Sequence, residues 1–302
     1  MKGLLGTSLN KKTLLFKTLE KFHSQNLQPK IGIEMEFYLQ EKNNPPSHKQ
    51  VKKFIFDLKT AIFDNNIGIV RIEPEQGSGQ IEIKTPPYLD IPKLCQDIEQ
   101  IKDIICNLSA DLRVNFSAQP FLKDCGSSLQ INFSLTKNNK LIFAKNEGVE
   151  SECLLHCVSG ILGNIKNMMI IFAPLKQDYQ RLDMQINRSL HKERKFTAPT
   201  NISWGYDNRT TLIRIPKTNK DNDRRLEFRL ASNSSDIYLA ISFLLLAILE
   251  GLSKKSKAPQ EIYGNSFDGQ YELEVLPNYE EAKGYFSKAG FNKKYLMPRP
   301  EH

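Results

Sequence analysis

Apolar and polar residues alternate with a period of two through Ile31-Gly32-Ile33-Glu34-Met35-Glu36-Phe37-Tyr38-Leu39, which predicts a strand. Ile33, Met35 and Phe37 then share one face, while Glu34 and Glu36 share the other. The same alternation recurs in 79–83, where Gln80 and Glu82 oppose Ile81 and Ile83. In 129–135 it sets Gln130, Asn132 and Ser134 on one face, and in 225–229 it sets Glu227 between Arg225 and Arg229. Four apolar-backed strands of this kind predict one sheet with a wet, concave polar face. Carboxylates as close as Glu34 and Glu36 repel each other, so a cation or arginines must hold them. The polar face is therefore read as a site for hard cations and anionic ligands.

Helical spacing of apolar residues predicts helices over 11–25, about 50–63, 91–109, about 150–171, 234–252 and 279–287. Extended segments are expected at 67–73, 112–117, 141–144, 202–205 and 210–215. The polar stretch 41–46 and the basic stretch 183–200 read as loops, and 75–79 as a turn. No internal repeat or linker divides the chain, so one α+β domain over 1–302 is the expectation, with a mostly antiparallel sheet carrying helices on its other side.

Composition changes this picture little. With 40% hydrophobic and 25% charged residues among 302, the chain reads as a soluble globular protein. The net charge of +8 comes from scattered lysines with no basic block interleaved with aromatics, which argues against a nucleic-acid partner. The arginines instead gather in 181–229, beside the carboxylates, where a guanidinium fork suits phosphate or carboxylate. Five cysteines and no secretory h-region in Met1 to Gly6 fit reduced thiols in a cytoplasm. Cys153, His156 and Cys157 could mimic zinc ligands on a helix, but no companion pair follows, so packing is the better account. The longest apolar run, Ile237 to Leu249, is too short to span a bilayer, which argues against a membrane partner.

Six segments, in order, resemble the catalytic domain of glutamine synthetase and the related gamma-glutamyl-amine ligases. They are Gly32-Ile33-Glu34-Met35-Glu36-Phe37, Glu75 to Glu82, Gly126 to Leu135, Tyr179-Gln180-Arg181-Leu182, Asn208 to Pro216, and Arg224 to Arg229. The resemblance runs from about residue 12 to 290. It implies an ATP-dependent carbon–nitrogen ligase of nitrogen metabolism that activates glutamate or a related carboxylate as an acyl phosphate, which ammonia or another amine displaces. By position, Glu36, Glu75, Glu82 and Gln130 would hold one Mg²⁺ or Mn²⁺ ion, and Glu34 and Glu227 would help hold another. Arg181, Arg229 and Gly126 match the substrate-binding positions. Arg209 and Arg229, with Glu36, match the catalytic positions. Arg214, Arg225, Asn132 and Ser134 match positions around the nucleotide.

The departures carry their own expectations. Gln130 and Asn132 stand where the family has histidines, Cys125 where it has a substrate-binding asparagine, and Thr197 where it has a flap glutamate. Only about thirty residues precede Glu34, and the stretch beyond Ala289 is short. The resemblance thus implies a chain without the family's N-terminal β-grasp domain, and a monomer or an oligomer smaller than the family's dodecamer. A homologue that binds nucleotide or metal without ligation is the alternative reading.

Overall fold

The computed structural model describes residues 10–42, 44–109 and 112–296. The segment Met1 to Gly6 and Asn43 of the polar loop lie outside the described residues.

Helix α1 (Lys11–His23) starts at Asn10, whose side chain accepts from the amides of Lys12 and Thr13, and it buries Leu14, Leu15, Leu19 and Phe22. It leads into β1 (Leu27–Gln40), longer than the alternation alone predicts. β1 pairs antiparallel with β3 (Gln80–Lys84) on one side and with β5 (Leu129–Lys137) on the other. Pro29 is tolerated because pairing on that side of the strand starts only two residues further on, at the Ile31–Tyr88 bridge. The full order is β2 (Arg71–Pro74), β3, β1, β5, β9 (Leu226–Phe228), β8 (Ile213–Ile215), β7 (Trp204–Tyr206). β4 (Arg113–Asn115) also pairs with β1, and β6 (Lys140–Leu141) with β5. Among these pairs only β7 with β8 is parallel. The result is the expected α+β fold with an open sheet.

Register places the polar residues in rows. Glu36 lies opposite Glu82, and Glu34 lies between Lys84 on one side and Gln130 on the other. Asn132 lies opposite Glu227, which in turn faces Arg214. Residues paired in this way share a face, so one surface of the sheet carries them all. The opposite surface is apolar, with Met35, Phe37, Ile81, Ile131, Phe133 and Phe228 wholly buried. Against the core pack α2 (His48–Asp64), α3 (Ile91–Leu108), α4 (Glu152–Phe172) and α6 (Ile237–Lys254).

Three expectations change. The polar face is not wet: Glu34, Glu36, Glu82, Gln130, Asn132 and Glu227 are each 7% exposed or less. Phe196, Thr197, Ala198 and Arg209 stand over part of it. The stretch 183–200 is not all loop, because α5 (Met184–Lys192) forms there. Asp183 caps it by accepting from the amides of Gln185 and Ile186, and its amphipathic turn buries Leu190 and Asn187. After α7 (Tyr279–Lys288), a further short helix, α8 (Gly290–Leu296), follows that the pattern did not anticipate.

α4 and α6 are each long and apolar enough to cross a membrane. The continuous helix α6 therefore exceeds the 13-residue apolar run in the sequence. Yet 61% and 78% of the two windows are buried inside the protein, which is how core helices look. The two helices pack on each other, and a Cβ on Gly160 would stand 2.2 Å from the Ala247 carbonyl oxygen. One on Gly251 would stand 2.1 Å from the carbonyl of His156. Gly163, one turn on in α4, faces open space. Gly160→Ala should therefore destabilise by about 1–3 kcal/mol. Gly163→Ala should stabilise by up to about 1 kcal/mol, as an exposed helical glycine does. Urea titration of both variants checks the contrast; equal effects would deny the close approach.

Candidate active site

The row geometry collects one wall of acceptors. Glu36 comes from β1, Glu82 from β3 and Gln130 from β5, and Glu75 comes from the turn that joins β2 to β3. Facing them are Arg181, after the 3₁₀ turn Lys176–Gln180, Arg229, just beyond β9, and Arg209. Together they line a narrow recess of about 30 Å³, closed on one side by Phe196, Thr197 and Ala198.

Each acid has a different partner. Glu36 accepts from the Ser128 amide (2.9 Å) and from Gln130 Nε2 (2.8 Å). Glu82 accepts from Arg71 Nη2 at 3.0 Å, and Lys84 donates to Glu34. Glu227 accepts from Arg214 Nη1 at 2.9 Å and lies 3.2 Å from Arg229 Nε, out of line for a hydrogen bond. Arg225 turns away from Glu227 and donates from Nε to Asn132 Oδ1 at 2.8 Å.

Burial drives most of the electrostatics. It pushes the Glu36 carboxyl up to about 6, against the pull of Arg181 and the Ser128 amide. It pushes Glu82 up to about 7, helped by the charge of Glu34. Glu75 is raised for the same first reason. At Glu34 burial also acts upward, but Lys84 outweighs it and leaves the carboxyl below its usual range. Burial lowers Arg181 to about 10, so the guanidinium remains charged at neutral pH.

The arginines are fixed by carbonyls. Arg181 donates to the carbonyls of Leu230 (2.9 Å) and Arg229. A Cβ on Gly126 would meet Arg181 Cγ at 2.6 Å, so the glycine leaves room for the side chain to pass. Arg229 donates to the carbonyls of Thr197 (3.0 Å), Thr211 (3.3 Å) and Arg209. Arg209 lies over the Phe196 ring, 4.5 Å from its centroid.

Two residues further along β5 the same face opens into a larger cleft of about 650 Å³, lined by Lys30, Gly32, Asn132, Ser134 and Arg225. Arg214 is not among the described residues of that wall; it bridges Asp207 (Nε to Oδ1, 3.1 Å) and Glu227. Glu34 likewise lies outside the recess lining, tied to Lys84, which does line the cleft.

Sequence reasoning missed Arg71, Lys84 and Gln76. Extending the alternation to Lys84, and across to Arg71 in the register of β2, would have found the first two. Gln76 was legible only in space. Its Oε1 accepts from the Phe196 amide and from the Cys125 thiol at 3.3 Å, and its Nε2 donates to the Arg194 carbonyl at 3.1 Å. It thus staples the 75–79 turn to the segment beside Thr197. Burial pushes that thiol up to about 12, so Cys125 serves here as a hydrogen-bond donor.

The glutamine synthetase catalytic-domain family model matches residues 43–298. The chain belongs to the glutamine synthetase catalytic-domain family. It is 24% identical over 320 residues to the gamma-glutamylputrescine synthetase PuuA of Escherichia coli, covering 95% of this chain and 64% of that protein. It is 27% identical over 272 residues to the glutamine synthetase of Thermococcus kodakarensis, covering 84% and 58%. It is 29% identical over 263 residues to that of Pyrococcus abyssi, covering 80% and 56%. The chain thus spans under two thirds of the length of these curated relatives. Solved structures of GmaS, one a complex with ADP and one without ligand, superpose with TM-scores of 0.82 and 0.80 at 20% identity. They cover 95% of this chain and 70% and 69% of theirs, and they show the fold.

Members of this family typically use divalent metal ions. Among the described residues no three His, Cys, Asp or Glu side chains are drawn into a ready-made ligand sphere. The donor chemistry nevertheless fits a hard cation. Among the described residues nothing donates to the buried Gln130 Oε1, on the wall where Glu36 and Glu82 are held above their usual range. An excess of buried acceptor oxygens is what a dication would satisfy.

Proposed function

We propose that this chain is an ATP-dependent ligase that joins a carboxylate, glutamate or a close relative, to an amine through an acyl phosphate. The observation that carries the reading is the facing of two walls across one small recess. Four acceptor residues stand opposite three arginines, beside a cleft of nucleotide size. Asn132, Ser134 and Arg225 of the cleft bind the nucleotide. Arg181 and Arg229, held rigid by backbone carbonyls, grip the carboxylate substrate and lose little freedom in doing so. Arg209 faces the transferring phosphoryl group and offsets its charge. Mg²⁺ or Mn²⁺, held by Glu36, Glu75, Glu82 and Gln130, would neutralise phosphoryl oxygens there. A second ion near Glu34 and Glu227 requires Lys84 to release Glu34.

The test is to supply ATP, Mg²⁺ and a panel of carboxylates with hydroxylamine, a small neutral nucleophile that traps an acyl phosphate as a hydroxamate. Hydroxamate and ADP in equal amounts are expected with one carboxylate. Mg·ATP binding with no hydroxamate from any carboxylate would refute the ligase reading.

Thr197 narrows the amine. It is 8% exposed on the recess wall, and its hydroxyl neither attracts ammonium nor accepts a proton at neutral pH. Ammonium-dependent glutamine synthesis should be slight, and Thr197→Glu should raise it at least several-fold, measured by mass spectrometry. Robust glutamine formation by the unmodified chain would overturn this.

A further inference from the structure

Beside the Phe196–Arg209 stack lies a solvent-open chamber of about 750 Å³. Phe196, Thr197 and Arg209 line both this chamber and the recess, so these three residues form the partition between them. Among the described residues, none of the chamber's wall is shared with the nucleotide cleft. A co-substrate bound here would be separated from the recess by that partition alone and would share no wall residue with the nucleotide cleft.

The chamber's chemistry is one-sided. His191, Lys192, Arg194 and Lys195 line it together with Arg209, and Tyr206 and Tyr263 add two phenol rings. Asp207 is the only carboxylate among the described residues of that wall, and Arg214 already holds it. Lys195 is engaged by the Lys123 carbonyl at 2.6 Å and by Glu193 at 3.2 Å. Lys192 and Arg194 make no ion pair among the described residues, whereas Arg209, stacked on Phe196, is drawn to the carboxylates of Glu75 and Asp207. Two cationic groups without ion-pair partners among the described residues, with Lys195 and Arg209 beside them, attract anions and repel polyamines.

We infer that the chamber admits the amine, and that this amine carries an acid group: an amino acid or a phosphate-bearing amine, not ammonium or a diamine. The inference rests on the ligase reading above and names the second substrate of that site. The acid group is held by Arg194 and Lys192, and the amine end reaches past Arg209 to the acyl phosphate. The nitrogen forms a bond to the acyl carbon as the carbon–oxygen bond to phosphate breaks. Phosphate leaves with that electron pair and takes one of the two protons that the ammonium sheds; the other goes to solvent.

The experiment uses the full chain with ATP, Mg²⁺ and whichever carboxylate gives hydroxamate. Second substrates are glycine, β-alanine, glutamate and phosphoethanolamine, set against methylamine, ethanolamine and diaminobutane. Amide is read by mass spectrometry. Amide from an acid-bearing amine, at least about tenfold above its uncharged or cationic counterpart, is expected, the size of one charge-assisted hydrogen bond. Arg194→Ser and Lys192→Ser should each cut that ratio by about tenfold, and Arg194→Lys should restore most of it. Hydroxamate with no acid-bearing amide, or with diaminobutane preferred, overturns this inference and leaves the ligase reading standing. No hydroxamate at all removes both. A ratio unmoved by Arg194→Ser and Lys192→Ser also overturns it, because the preference would then arise elsewhere.

Discussion

Glu227→Ala should be the most damaging single change on the polar face, costing about 3–5 kcal/mol and abolishing measurable Mg·ATP binding. Glu227 is 2% exposed and lies between two guanidiniums, Arg214 at 2.9 Å and Arg229 at 3.2 Å. Removing one member of a buried ion cluster strands the others in a poorly solvated place, which costs more than the intact pair contributes. Arg214 retains Asp207 as a partner. Arg229 keeps no ion pair among the described residues: it is 4% exposed, its hydrogen bonds go to neutral carbonyls, and Glu36 attracts it only from further off. Glu227→Gln keeps the volume and one acceptor, and should lose about half as much. Urea unfolding and calorimetry with Mg·ATP measure the two effects. A Glu227→Ala protein within about 1 kcal/mol of the parent would show that the guanidiniums are solvated after all. The same cluster explains why an Arg229→Met, Glu227→Leu double variant should recover stability without recovering binding.

The strands that carry this cluster were legible because a period-two alternation survives wherever a sheet has one apolar face. Glu34, Glu36, Glu82, Gln130 and Glu227 all fall on the face the alternation assigns them. What the alternation could not show is depth. It distinguishes two faces of a strand but not a solvated face from a covered one, and the cover here comes from 196–198 and Arg209, far away in sequence. Partner choice was illegible for the same reason. Arg225 and Glu227 share a face two residues apart, yet Arg225 reaches Asn132 on the neighbouring strand, and Glu227 takes Arg214 from the other neighbour. Cross-strand neighbours stand closer than i, i+2 neighbours along one strand, so register decides the pairs and one strand alone does not. The Gln76 staple rests on a turn, and the basic chamber gathers the end of α5, the segment after it and Tyr206 of β7, so no single period reveals either.

The covered carboxylates make stability fall as pH rises, opposite to the usual behaviour of paired acids. Glu36 titrates at about 6 and Glu82 at about 7 in the folded chain, against an ordinary 4.5. Both bind their proton more tightly folded than unfolded, so the stability they contribute is fully present below about pH 4.5. It is lost as pH climbs through 6 and 7. For Glu36, 7% exposed, the loss is about 2 kcal/mol. Glu34 runs the other way: Lys84 outweighs its burial and holds it below its usual range, so its contribution is present at neutral pH and lost only in acid. In EDTA, the unfolding free energy should therefore decline between about pH 5 and 7.5. Glu82→Gln should remove the upper part of that decline and leave the lower part, which belongs to Glu36. Millimolar Mg²⁺ should flatten the profile above pH 6, since a dication favours the ionised carboxylates that burial disfavours. Titrating Mg²⁺ in two buffers of different ionisation heat at pH 6.5 should reveal protons released on binding. A stability profile in EDTA that is flat or rising from pH 5 to 7.5 would mean that Glu36 and Glu82 are better solvated than their place in the fold requires.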